Sequence, residues 1–92
     1  MNLLENIFAS KAQAKLIKLF FQKPNQEFYQ RELMGQIKES LGSVQYEIKR
    51  LEKIGLITSQ RTKRKVFYSL NKNFYLYPEI RDIVLKTAQK NL

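Results

Sequence analysis

The 92-residue sequence predicts a mainly α-helical domain with one small antiparallel β-hairpin, in the order α-α-α-β-β-α. Three observations carry this expectation. Apolar residues recur at helical spacing in four segments, and serines, a glycine and prolines stand where those helices should start and stop. Two β-prone runs lie side by side in the second half of the chain. The formal charge of +9 is also concentrated: residues 49–72 hold eight basic side chains against Glu52 alone.

Each element has its own justification. Ser10 followed by Gln13 resembles a capping box, and Ala12, Leu16, Leu19 and Phe20 share one face of a helix that runs to about Gln22 and stops before Pro24. Residues 2–8 place Leu3 with Ile7 and Leu4 with Phe8 at i,i+4, either extending that helix or forming a short one ahead of it. Phe28 and Tyr29 lead into a second helix, roughly Gln30 to Lys38, with Leu33 and Ile37 inward. Ser40 then caps a third helix over about 41–54, whose stripe is Val44, Ile48 and Leu51, and Gly55 ends it. Leu56–Gln60 and Lys65–Leu70 form the hairpin, with Arg61-Thr62-Lys63-Arg64 between them; the whole unit spans about 56–70. Tyr77-Pro78 starts a last helix, about 78–90, with Ile80, Ile83, Val84 and Thr87 on one face. One domain over 1–92 is expected, burying roughly 60–65% of the surface its unfolded chain exposes.

Composition excludes several classes of function. The chain has no Cys and no His, so it offers neither a disulfide framework nor an ordinary zinc or thiolate site, and no serine has a histidine to activate it. The eight carboxylates are scattered rather than grouped at ligand spacing. No enzymatic activity and no cofactor are therefore expected. Glu5 stands where a signal peptide wants basic residues, and no apolar run approaches the ~18–20 residues of a membrane span, so the cytoplasm is the expected compartment.

Two short helices joined by a tight turn and followed at once by a hairpin make a helix-turn-helix with a wing. The second helix of such a pair fits the major groove of a duplex. With Val44, Ile48 and Leu51 inward, Gly42, Ser43, Gln45, Tyr46 and Lys49 project outward, while Arg50 and Lys53 sit further along, suited to phosphates. Ser and Gln offer donors and acceptors to base edges, Gly42 permits close approach, and Tyr46 can stack on sugar or hydrogen-bond a phosphate. In the wing, Arg61, Lys63, Arg64 and Lys65 surround Thr62, so affinity is assigned to the wing and sequence preference to the helix. Glu47 has Arg50 at i+3 and is expected to make only a weak exposed pair.

The runs Phe28-Tyr29-Gln30-Arg31-Glu32-Leu33, Ser43-Val44 through Leu51-Glu52-Lys53-Ile54-Gly55-Leu56-Ile57, and Val66-Phe67-Tyr68-Ser69-Leu70-Asn71 resemble the ArsR-like winged-helix transcriptional regulators of prokaryotes. The tail, Leu76-Tyr77-Pro78-Glu79-Ile80-Arg81 with Val84-Leu85-Lys86-Thr87, is similar to a subgroup fused to, or encoded beside, a nucleotidyltransferase domain. The resemblance covers about residues 12–87. It implies a sequence-specific double-stranded DNA-binding protein, a dimeric repressor, working in some cases with a regulatory partner protein. Two features depart from the pattern: the metal ligands of metal-sensing relatives are absent, and the wing tip lacks its usual glycine.

Leu3, Leu4, Ile7 and Phe8, with Tyr75, Leu76, Tyr77 and Leu85, exceed what one small core needs and form the expected homodimer surface. The alternative is a winged-helix protein–protein docking or RNA-binding module that reads no DNA sequence. Membrane binding ranks last, because the densest charge lies on a hairpin and not on an amphipathic helix.

Overall fold

A computed structural model describes residues 8–90 of the chain. Within them, four helices and three strands follow one another as α1 (Lys11–Gln22), β1 (Phe28–Tyr29), α2 (Gln30–Ile37), α3 (Leu41–Ile54), β2 (Ile57–Thr62), β3 (Lys65–Leu70) and α4 (Tyr77–Lys90). The expected Leu3, Leu4 and Ile7 contacts fall outside the described residues.

The helix limits follow from satisfied ends. The Oγ of Ser10 accepts from the Gln13 backbone N–H at 3.0 Å, and the Gln13 side-chain Oε1 accepts in turn from the Ala9 backbone N–H at 2.9 Å. Ser40 caps α3 in the same way, its Oγ accepting from the Ser43 amide at 3.2 Å. One orphan N–H in the first turn of each helix is thereby satisfied. The α2–α3 turn is three residues long, Lys38 to Ser40, and it reverses direction through Lys38 in the left-handed region (φ 56°, ψ 46°). Glu39 within that turn accepts from Lys15 Nζ at 2.6 Å, tying the turn to α1.

Gly55 closes α3 at φ 91°, with the Leu56 amide reaching back to the Leu51 carbonyl at 3.0 Å. This is the Schellman arrangement, which needs a residue free to adopt positive φ. Asn71 Nδ2 donates to the Gly55 carbonyl at 2.8 Å, so the end of α3 is fixed to the end of β3. A Cβ at Gly55 would meet only Phe74 Cδ1, at 4.0 Å. Gly55→Ala is therefore expected to lose about 1 kcal/mol through backbone strain alone. Thermal denaturation should show it as a drop of roughly 4–8 °C in Tm.

The three strands form one sheet in the order β1-β3-β2, antiparallel throughout. The hairpin closes with Thr62 opposite Lys65, leaving Lys63-Arg64 as a two-residue turn. Neither residue has positive φ, so the tip needs no glycine. β1 is absent from the expected order α-α-α-β-β-α. It is only two residues long and exists by pairing Phe28 with Tyr68 and Tyr29 with Phe67.

The core sits where the helices meet the inner face of the sheet. Leu16, Phe20, Phe28, Leu33, Val44, Leu56 and Ile57 are its largest fully buried side chains. Phe20 and Phe28 pack edge to face with centroids 5.4 Å apart. α4 closes the core with Val84 and Thr87, backed by Ile80 and Ile83. Among the described residues, no helix is long and apolar enough to cross a membrane.

Candidate nucleic-acid interface

One polar group of α3 is buried, and it is not where the sequence suggests. Glu47 is 4% exposed, so the expected exposed pair with Arg50 is replaced by contacts inside the fold. Its carboxylate accepts from Ser10 Oγ at 2.9 Å and from Gln13 Nε2 at 3.1 Å. A carboxylate at the N-terminus of α1 also meets the positive end of that helix dipole. The middle of α3 is thus fixed in orientation by α1, and its opposite face is turned outward.

That outward face carries the residues the spacing selects. Gly42, Gln45, Tyr46, Lys49, Arg50 and Lys53 are all exposed, and the space above Gly42 is open to 4 Å. The Arg50 guanidinium lies 5.5 Å from the Tyr46 ring centroid, so these two form a cation–π pair on the surface. Ser43 is half-buried, its hydroxyl accepting from Ser40 Oγ at 3.0 Å. It belongs to the cap as much as to the outer face.

The wing projects beside this helix. Only Ile57 of β2 is buried; Thr58 to Thr62 are exposed, as are Lys63, Arg64 and Lys65. Pairing at period two puts Ser59 and Arg61 on the same side as Ile57, toward α3. Ser59 Oγ donates to the Glu52 carboxylate, which joins the base of the wing to α3. Tyr68, opposite Ser59, has its phenol pushed above the ordinary tyrosine value by burial and by the nearby Glu52, with Arg61 opposing. It therefore remains a protonated donor at neutral pH.

The electrostatics are one-sided. Among the described residues the ion pairs are Lys15 with Glu39 and Arg81 with Asp82. Among the described residues none of Lys49, Arg50, Lys53, Arg61, Lys63, Arg64 or Lys65 forms an ion pair, so apart from Glu52 at the base of the wing the helix and wing present a field attractive to a polyanion. Lys65 Nζ rests 5.0 Å from the Tyr29 ring centroid. Between the wing and the start of α2 lies a cavity of about 600 Å³ bordered by Tyr29, Arg31, Arg64, Lys65 and Tyr68. Arg31 is the member that sequence reasoning missed. The pairing of β1 with β3 brings it to the wing from far upstream, and no local pattern records that.

The residues named for dimer contact divide. Phe8 and Tyr77 pack against the chain's own core, with the Tyr77 ring 5.1 Å from that of Phe21. Tyr75, Leu76 and Leu85 stay exposed, at 79%, 38% and 55%.

No family model matches the sequence, and no curated protein matches it either. Solved structures do. A possible transcriptional regulator from Methanosarcina mazei Go1 superposes with a TM-score of 0.66 at 20% identity, over 89% of this chain and 69% of that one. A variant of Lactococcus lactis ZitR in apo form gives 0.71 at 22% identity, over 94% of this chain and 62% of that one. Wild-type ZitR in complex with DNA gives 0.60 at 20% identity, over 90% of this chain and 60% of that one. The chain thus spans less than two thirds of the ZitR chains. At such identities the likeness speaks for the fold. With α2 and α3 joined by a three-residue turn and the β2–β3 hairpin standing beside α3, the chain is a winged helix-turn-helix domain.

Proposed function

We propose that the chain is a sequence-specific double-stranded DNA-binding transcription regulator, ArsR-like in manner, that acts in the cytoplasm as a homodimeric repressor. The observation that carries this reading is the alignment of two surfaces. The outer face of α3 and the wing lie side by side, and among the described residues their cations form no ion pair with a carboxylate. α3 enters the major groove, where Gly42, Ser43, Gln45 and Tyr46 meet base edges. Lys49, Arg50 and Lys53 contact phosphates along it. The wing residues Arg61, Thr62, Lys63, Arg64 and Lys65 grip the adjacent backbone. The shared fold with ZitR, which has been solved in complex with DNA, supports DNA as the ligand.

Repression then needs no chemistry by this chain, only occupancy of a site. Tyr75, Leu76 and Leu85 supply the exposed apolar surface for a second copy, joined in this reading by the Leu3, Leu4 and Ile7 segment. Two-fold pairing places two α3 helices about one helical turn, ~34 Å, apart, and demands a pseudo-palindromic site. The tail's resemblance to the nucleotidyltransferase-associated subgroup supports a separate regulatory partner protein.

Selection from a random duplex pool at about 150 mM salt tests the reading. The expected product is an inverted repeat. Gln45→Ala is expected to relax preference at one base pair of each half-site by about 1–3 kcal/mol. Equal losses on every sequence would make Gln45 a backbone contact. An unenriched pool would remove the sequence-specific reading, and no binding at all would favour a docking module.

A further inference from the structure

The first turn of α3 carries a large apolar side chain that the core leaves partly open to solvent. Leu41 follows the Ser40 cap directly and is 46% exposed, while the buried stripe of the helix begins only at Val44. The neighbouring Gly42 has open space at its Cβ position, so the start of α3 can approach a ligand closely. The other exposed aliphatic of α3, Ile54 at 58%, lies at the far end of the helix, about 20 Å away by helical rise.

Leu41 also has a defined neighbour. Gln45 is one turn on, with Cβ atoms about 5–6 Å apart, and Leu41, Gln45 and Glu52 fall within about 40° around the helix axis. Glu52 accepts from Ser59 of β2, so this flank of α3 is the one that looks into the crevice beside the wing. A leucine and a primary amide thus share the leading edge of the helix, on the side where the wing holds the duplex.

The floor of the major groove consists of hydrogen-bonding edges with one apolar feature, the C5 methyl of thymine; a glutamine amide matches the N6 and N7 edge of adenine. Successive bases on a strand are about 3.4 Å apart, so side chains one helical turn apart reach bases one or two steps apart. Resting on the assignment of α3 to the major groove, we infer that Leu41 is a specificity-determining residue that packs on the methyl group of a thymine one or two base pairs from the adenine held by Gln45. The half-site is therefore A·T-containing where the N-terminus of α3 meets it.

Deoxyuridine replaces thymine without altering any hydrogen-bonding group and removes only the methyl. In the selected duplex, each thymine is replaced in turn and the Kd measured by fluorescence anisotropy. The wild-type chain is expected to lose about three- to six-fold at one thymine per half-site, the worth of one buried methyl-sized group. Leu41→Ala should bind the thymine and deoxyuridine duplexes equally, with an unchanged Tm because the residue is exposed. Leu41→Met should keep the discrimination. If no thymine responds in a duplex that wild type binds selectively, or if Leu41→Ala responds as wild type does, the inference is overturned while the Gln45 effect leaves the DNA reading standing. If wild type shows no selective binding to any duplex, both fall together.

Discussion

Replacement of Arg61, Lys63, Arg64 and Lys65 by alanine is expected to reduce duplex affinity on the order of 100- to 1,000-fold near physiological salt. Each cation that neutralises a phosphate releases counterions and contributes about −0.9 to the slope of log K against log salt, so four lost contacts flatten the slope by about 3.6. The expectation rests on three structural facts. All four side chains are exposed. None is paired with a carboxylate among the described residues. Lys63 and Arg64 form the turn and Arg61 and Lys65 the strand ends beside it, so their removal leaves the core untouched and costs the fold only the surface Lys65–Tyr29 contact. Salt titrations of wild type and variant by anisotropy check both numbers. A variant with wild-type affinity and slope would place the duplex elsewhere on the molecule.

Phe28→Ala is expected to cost about 3–5 kcal/mol, a large share of the 5–15 kcal/mol that holds a domain of this kind together. Phe28 is fully buried, meets Phe20 edge to face and begins the two-residue strand that joins β3. Its loss opens a cavity in the centre of the core and removes the anchor that holds the start of α2 against the base of the wing. Urea denaturation should show the midpoint falling with little change in the slope. A loss below about 1 kcal/mol would mean the core collapses around the gap, and that β1 holds its place by backbone pairing alone.

What the sequence makes legible here is whatever is decided locally. Ser10, Ser40 and Gly55 mark helix ends by local chemistry, and α1 begins, and α3 begins and ends, where those residues say. The hairpin is equally visible, because its strands are adjacent and close through two residues. Contacts between distant segments leave no such trace. β1 is defined by partners some forty residues downstream, Tyr68 and Phe67, and two residues are too few for any periodicity. Glu47 has its partners 37 and 34 residues upstream, so inspection of its own helix finds only Arg50. Arg31 likewise sits outside the basic 49–72 segment and reaches the wing only through the fold. The wing tip closes without the usual glycine because the turn forms without positive φ at Lys63 or Arg64.

The central claim is that the outer face of α3 and the wing together form the surface that meets a duplex. Titration of a selected DNA duplex into 15N-labelled protein, followed by amide chemical shifts, tests it directly. The largest shifts are expected on Gly42 to Lys49 and Arg61 to Lys65, with Tyr75, Leu76 and Leu85 unmoved by the DNA. Shifts concentrated on α4 and the Tyr75–Leu76 turn, with α3 and the wing silent, would contradict it.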